Sequence, residues 1–168
     1  MKYLRSINAT MNIFFEKFLI VGFVAMTFVI FLQVVFRYFL AQSLSWSEEI
    51  ARYLFVWLTF IGASVVAGTR LHIMVSSFVD NIKSKIVRKS LQTLAELLTI
   101  AFLYILIVEG FVVTTEILEL GQISPSMPWL QLGWTYLAIP VGSLFMALHI
   151  VEHIYNIWTS EEQQKGGH

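Results

Sequence analysis

Cysteine is absent from this 168-residue chain, which excludes disulfide bonds, thiolate metal ligands and cysteine nucleophiles from its chemistry. Charge is also scarce: charged residues make up 13% of the chain, whereas hydrophobic residues make up 57%. The 11 basic and 11 acidic residues cancel, so the chain lacks the positive excess expected of a nucleic-acid-binding protein. Because a soluble domain of this size seldom has so apolar a composition, the chain is predicted to be an integral membrane protein.

Several motifs of soluble enzymes are missing too. The sequence contains no G-x-S-x-G nucleophile motif, no glycine-rich loop for phosphate and no pair of aspartates deep within an apolar run. It also contains no soluble domain, linker, low-complexity tract or internal repeat. Residues 1–168 are therefore predicted to form a single membrane domain, with a polar tail at residues 159–168.

Four long apolar runs occupy most of the chain. Each can cross a hydrocarbon core of about 30 Å as an α-helix, and none alternates as a transmembrane β-strand does. The first run is too long for a signal peptide, and Phe39 stands where cleavage requires a small residue, so it is predicted to be retained. The predicted fold class is all-α with four transmembrane helices, at residues 14–37, 50–69, 91–118 and 129–154.

The basic residues predict the orientation of these helices. The segment from Arg70 to Lys89 contains almost half of them. If both termini are cytoplasmic, every basic residue except Arg37 and Arg52 lies on the cytoplasmic side, as the positive-inside rule requires. The reverse orientation would place the basic segment in the opposite compartment. Both the N- and C-termini are therefore predicted to be cytoplasmic.

The basic segment also contains the pattern of a short interfacial helix. Val75, Phe78, Val79 and Ile82 follow helical spacing, and the basic cluster comes after them. Such a helix would lie along the inner face of the membrane with its lysines toward anionic lipid headgroups, and would serve anchoring and topology. His72 is expected to satisfy backbone groups at a helix end rather than to bind a ligand.

The connection between the first two apolar runs contains a group of charged residues with one tryptophan. Glu48 and Arg52 are four residues apart and are predicted to pair along one helix face, while Arg37 is expected to meet Glu49. One interpretation is an ordinary helix start with interfacial ion pairs; the other is a surface that also faces a partner protein. We call this group the charged collar: Arg37, Trp46, Glu48, Glu49 and Arg52.

The third apolar run contains acidic residues. Glu109 lies inside it and shares a helical face with Glu116, seven residues further on. An ionisable group at this depth costs a few kcal/mol, so Glu109 is expected to face protein or water rather than lipid. It could serve as a proton or cation site. The favoured interpretation is that it pairs with a basic or hydroxyl group on another helix or subunit.

One short match to a zinc-protease pattern occurs near the end of the fourth run. His149, Glu152 and His153 fit H-x-x-E-H, which places two histidines one helical turn apart. No third ligand suggests itself, so interfacial polar residues are the favoured interpretation. An alternative function is nevertheless a small four-helix membrane enzyme, with its site at Glu109 or at His149 and His153.

Several segments together resemble the DctQ-like small membrane subunits of tripartite ATP-independent periplasmic (TRAP) transporters. The most specific is W-S-E-E-I-A-R-Y, and the resemblance extends over roughly residues 14–155. The resembling segments are Phe36–Phe39, Ser45–Trp57, Gly62-Ala63, His72-Ile73, Gly121–Pro125 and Trp134–Gly142.

This resemblance implies a four-helix subunit of the bacterial inner membrane, with both termini cytoplasmic. It implies a large membrane subunit as a separate chain, which holds the substrate and sodium sites and moves as an elevator. It also implies a periplasmic binding protein that delivers an organic acid, such as a C4-dicarboxylate or sialic acid. The small subunit would then enlarge the static scaffold, and no catalytic, cofactor, metal or substrate site is expected in this chain.

The resemblance also implies roles for individual residues. The charged collar matches the family's outer motif, so its members are expected to stabilise the fold or scaffold and to contact the binding protein. A second expected docking surface is the connection from Ser124 to Trp129. Glu109 and His72 complete the residues expected at structural or partner interfaces. Membrane lipids are the remaining expected partner.

Overall fold

A computed structural model describes the backbone of residues 2–41, 44–79 and 85–165. Its described side chains are those of residues 11–41, 44–68, 87, 90–152 and 154. The helices are α1 (Lys2–Phe39), α2 (Ser45–Val79), α3 (Lys85–Glu119), α4 (Gly133–Tyr136) and α5 (Ala138–Lys165). Among these described residues, four segments are long and apolar enough to cross a membrane: Met11–Phe39, Ser45–Gly68, Ser90–Glu119 and Gly133–Glu152. The predicted all-α fold with four spans is confirmed.

The helices lie side by side in the order α1, α2, α5, α3. Helices α2 and α5 pack extensively against each other, α1 packs mainly against α2, and α3 packs mainly against α5. Within the described residues α1 and α3 do not meet, as the outer helices of a closed bundle would. In the most apolar part of α1 only 6% of the residues are buried, compared with 39% in the most apolar part of the fourth span. The chain therefore forms a row with two broad faces.

A buried apolar cluster joins three neighbouring helices in this row. Phe15 of α1 packs with Ile61 and Val65 of α2, and all three side chains are buried. The ring of Phe145 in α5 meets the Phe15 ring edge-on, with the ring centroids 4.8 Å apart. This contact extends the α1–α2 interface to α5 and so connects α1 to the centre of the row.

Two glycines allow α5 to approach its neighbours closely. A Cβ added at Gly142 would lie 2.6 Å from Phe60 Cβ and 2.9 Å from the Phe60 carbonyl oxygen. A Cβ added at Gly110 of α3 would lie 2.9 Å from Pro140 Cδ. In lipid, where water provides no apolar driving force between helices, such close packing supplies much of the association energy.

The fourth span is interrupted near its start. Pro140 has no N–H to donate to the carbonyl of Tyr136, and its ring clashes with that carbonyl in a continuous helix. Helix α4 accordingly ends at Tyr136 and α5 begins at Ala138. The missing hydrogen bond separates α4 from α5 at Leu137, although Leu137 keeps helical dihedral angles and its N–H still donates to the Gly133 carbonyl oxygen at 3.0 Å.

The boundaries differ from the predicted ones at several places; the second span, for example, begins at Ser45 rather than at residue 50. The fourth span begins at Gly133 rather than at residue 129, because residues 120–132 form a folded connection. This connection starts at Gly121, whose φ of 61° ends α3 in the left-handed conformation. Helix α2 continues to Val79, so the first part of the predicted interfacial helix belongs to α2; Ile82 lies outside the described residues.

Substitution of Gly142 by alanine is predicted to weaken the α2–α5 interface. Its new methyl group would meet the Phe60 backbone, which cannot move aside, and overpacking of this kind costs about 1–3 kcal/mol. Gly62→Ala is the matched control, because its Cβ would lie 3.7 Å from Leu19 Cδ2, an ordinary contact. Thermal unfolding in detergent should show a lower midpoint for Gly142→Ala alone. Equal midpoints for the two variants would contradict this packing.

Candidate functional site

At one end of the row, polar groups form a hydrogen-bonded cluster. We call this end of the row the Glu49 end. It comprises the start of α2 and the connection at residues 120–132. Helix α2 begins with a tight turn, in which the Ser47 hydroxyl donates to the Leu44 carbonyl oxygen at 2.7 Å and Ser47 is fully buried. This turn orients the first residues of α2 toward the connection.

The Glu49 carboxylate links α2 to that connection. The Ser126 backbone N–H donates to it at 3.3 Å, and the hydroxyls of Ser124 and Ser126 donate as well. The Tyr53 hydroxyl, one helical turn along α2, donates to the same carboxylate at 3.1 Å. Hydrogen bonds to a charged carboxylate are stronger than those to a neutral acceptor, so together these bonds hold the connection against α2.

Further hydrogen bonds reinforce this arrangement. The Met127 backbone N–H donates to the Ser124 hydroxyl oxygen at 3.2 Å, and Ser124 itself is fully buried. Across the row, the Trp57 indole N–H donates to the Trp134 carbonyl oxygen at 3.2 Å. The connection is thus attached to α2 through Glu49, and α4, which follows the connection, is attached to α2 through Trp57.

A groove with a volume of about 620 Å³ opens beside this cluster. The charged residues at the start of α2 line it, together with Pro125 and Ser126 of the connection and apolar side chains such as Val56 and Ile139. The groove therefore combines charged and apolar lining residues. Its lining residues are Ser45, Glu48, Glu49, Arg52, Tyr53, Val56, Phe60, Pro125, Ser126, Leu132, Thr135, Tyr136 and Ile139.

The charged collar divides into an exposed part and a bound part. The predicted Glu48–Arg52 pair is present at 3.2 Å, but the two side chains are 64% and 66% exposed, so the pair contributes little to stability. Arg37 and Trp46 are exposed. The expected contact of Arg37 with Glu49 is wrong, because the Glu49 carboxylate is directed to the connection instead.

The sequence did not indicate the partners of Glu49. Ser124 and Ser126 lie 75 and 77 residues away from it along the chain, and no local spacing connects them. The only sequence feature that pointed to these two serines was their position on either side of Pro125, in the connection expected to be a docking surface. Tyr53 stands four residues after Glu49, which is a helical spacing that could have pointed to it.

The remaining predicted residues lie elsewhere. Glu109 is exposed on α3, and His149 is buried on α5. His72 lies within α2, but its side chain and that of His153 are outside the described residues. No group of three or more potential metal ligands occurs in the part of the chain that the structure describes. Of the predicted site residues, the structure thus brings together only those at the start of α2.

The fold and the site together define a multi-pass membrane protein with a polar, folded rim at one end. Residues 26–160, most of the chain, match the family of tripartite ATP-independent periplasmic transporters, DctQ component. The chain belongs to this family and is a small permease subunit of a TRAP transporter. The resemblance inferred from the sequence is confirmed.

Individual relatives agree with this assignment. The chain is 29% identical over 129 residues to a putative TRAP transporter small permease protein of Haemophilus influenzae, covering 77% of this chain and 78% of the relative. It is 28% identical over 127 residues to the sialic acid TRAP transporter small permease protein SiaQ of Vibrio cholerae, covering 74% of this chain and 70% of SiaQ.

A longer relative is also similar. The chain is 27% identical over 134 residues to the sialic acid TRAP transporter permease protein SiaT of Haemophilus influenzae, covering 77% of this chain but 20% of SiaT. The relatives are transporter permease proteins, not enzymes, so the alternative of a membrane enzyme is rejected.

Removal of the Glu49 charge is predicted to release the connection from α2. In Glu49→Gln the three serine-derived hydrogen bonds lose their charged acceptor, so the connection is held less strongly. Glu48→Gln is the matched control, because its exposed pair contributes only about 0.3–0.5 kcal/mol. Hydrogen exchange at the Ser126 and Met127 amides should accelerate in Glu49→Gln alone. Similar exchange in both variants would refute the role given to Glu49.

Proposed function

We propose that this chain is the scaffold subunit of a sodium-coupled, binding-protein-dependent transporter of organic acids in the bacterial inner membrane. Sialic acids and C4-dicarboxylates are the proposed substrate class, and the names of two relatives support the former. The substrate and sodium sites are proposed to lie on a separate large membrane subunit. This chain holds that subunit's static part in the membrane while its transport part moves.

The observation that carries the scaffold role is the arrangement of the spans in a row. A row of four helices encloses no pathway of its own, and a transport site normally requires broken helices and polar backbone at mid-membrane. The only interruption in the described spans is at Leu137, beside the Glu49 end. Broad apolar faces instead suit contact with lipid on one side and with another membrane protein on the other.

The similarity to longer permease chains supports a large partner subunit. SiaT of Haemophilus influenzae and the isethionate TRAP transporter permease protein DctMQ of Oleidesulfovibrio alaskensis each contain a segment similar to this chain. That segment corresponds to 20% of SiaT and 23% of DctMQ. In such relatives the counterpart of this chain is joined to a much longer polypeptide, which is consistent with function beside a large subunit.

The Glu49 end is the proposed contact for a periplasmic binding protein. The exposed Glu48–Arg52 pair lies beside the connection, which contains the exposed Trp129 and is held by the Glu49 hydrogen bonds. A rigid surface with both charge signs and an exposed aromatic side chain is suited to transient, specific docking. With both termini cytoplasmic, this end faces the periplasm.

Loss of this chain is predicted to abolish uptake of the organic acid. Cells that express the large subunit and binding protein but lack this chain should accumulate no labelled sialic acid or C4-dicarboxylate above background. Re-expression of the intact chain should restore sodium-dependent uptake. The expression level of the large subunit is measured in parallel, so that a failure of assembly is distinguished from a failure of transport. Undiminished uptake without this chain would overturn the scaffold role.

The proposed orientation is directly measurable because the chain has no native cysteine. Single cysteines are introduced as Gln122→Cys in the connection at the Glu49 end and as Ser84→Cys in the basic segment. A membrane-impermeant maleimide should label Gln122→Cys in intact spheroplasts, but should label Ser84→Cys only after permeabilisation. The opposite labelling pattern would reverse the topology and move the Glu49 end to the cytoplasm.

A further inference from the structure

This chain covers only one narrow face of helix α3, and most of the remaining α3 surface is exposed. Glu96, Leu103 and Gly110 recur every seven residues, are buried, and belong to the face that packs toward α5. A second stripe with the spacing of a helix-packing seam is exposed along its whole length. We call it the Glu109 stripe: Leu98, Phe102, Ile105, Glu109, Val112 and Glu116.

Close helix contacts give the depth of Glu109 in the membrane. Its neighbour Gly110 lies against Pro140, and Gly142, two residues further along α5, lies against Phe60. Glu109 is therefore nearly level with Phe60 of α2. At a rise of about 1.5 Å per residue, Phe60 is about 12 Å from Arg52 and about 15 Å from Arg70. Those arginines bound the charge-free part of α2, so Glu109 lies near its middle.

A carboxylate at this depth is incompatible with a purely lipid surrounding. Ionisable groups within membrane spans almost always face protein or a water-filled cavity, because lipid tails offer them no hydrogen bonds. No residue within the described parts of the chain pairs with the Glu109 carboxylate, and Glu109 is exposed. By contrast, the exposed residues of α1 at the same depth, such as Val21 and Val24, are apolar and suit lipid.

We propose that the Glu109 stripe is the surface on which a transmembrane helix of the large permease subunit packs, with a basic side chain of that helix paired to Glu109. The heptad-like spacing supplies the packing geometry and the carboxylate supplies charge complementarity. The outer face of α1, at the opposite end of the row, faces lipid. This inference rests on the proposed function, to which it adds the contact surface and the chemistry of the partner.

Photo-crosslinking in native membranes tests the surface. Ile105→Cys and Val112→Cys place a benzophenone maleimide on the Glu109 stripe of a chain that has no other cysteine. Val21→Cys on α1 is the matched control. Leu19 lies against Gly62 and Gly22 lies against Leu58, so Val21 is at about the same membrane depth as Phe60 and Glu109. Phe111→Cys is the control for the other exposed side of α3. We expect adducts with the large chain to be several-fold more abundant from the two stripe positions.

Glu109→Gln tests the charge pair. Because it leaves the partner's basic group without a counter-charge inside the membrane, we expect the large chain recovered with this subunit to fall about tenfold or more. Glu109→Asp, which keeps the charge, should retain much more of it. The membrane content and thermal midpoint of each variant are measured, so that an unfolded variant is excluded. Equal recovery for wild type and Glu109→Gln would overturn the pairing.

The outcomes separate this inference from the proposed function. If the large chain is recovered but crosslinks mainly from Val21 or Phe111, the Glu109 stripe is not the contact surface and the scaffold role stands. Adducts of two copies of this chain, or of lipid alone, from Ile105 and Val112 would also overturn the inference. If no large chain is recovered with any variant or with the wild type, the proposed function itself fails.

Discussion

The close approach of α5 to α2 at Gly142 and Phe60 is the contact on which the other helices depend. Lipid tails solvate leucine as well as another helix does, so spans associate only where their backbones and side chains fit closely. The absence of a side chain at Gly142 permits that fit at the centre of the row. Helix α1 then adds to α2 through Phe15, and α3 adds to α5 through Gly110. The outcome is a wall whose two outer helices do not touch each other within the described residues.

Charge is distributed on this wall in two contrasting ways. At the Glu49 end, a carboxylate near the membrane boundary receives hydrogen bonds from Tyr53, Ser124 and Ser126, and these bonds fold the connection that begins at Gly121. In α3, the Glu109 carboxylate lies at mid-depth and is exposed on the outer surface. The first arrangement is complete within the described part of the chain. In the proposed complex, the second is completed by a basic side chain of the large subunit.

The sequence predicted the number of spans because a bilayer imposes a length on every apolar run. It also predicted the Glu48–Arg52 pair, since both residues lie on one helix at a four-residue spacing. It could not predict the partners of Glu49, because Ser124 and Ser126 are brought to it only by the packing of α2 against the end of α3 and the start of α4. The order of the helices in the row likewise depends on close contacts at single glycines. The sequence does not reveal this order, because apolar residues occur on nearly all sides of these helices.

The central claim is that this chain exists as a wall beside a large permease subunit. Native mass spectrometry of the complex, extracted from its own membranes in mild detergent through a tag on this chain, tests it most directly. We predict a single species that contains one 19.3-kDa copy of this chain and one much larger multi-span polypeptide. A lone chain, or an assembly of copies of this chain only, obtained also in gentler detergent, would contradict the account.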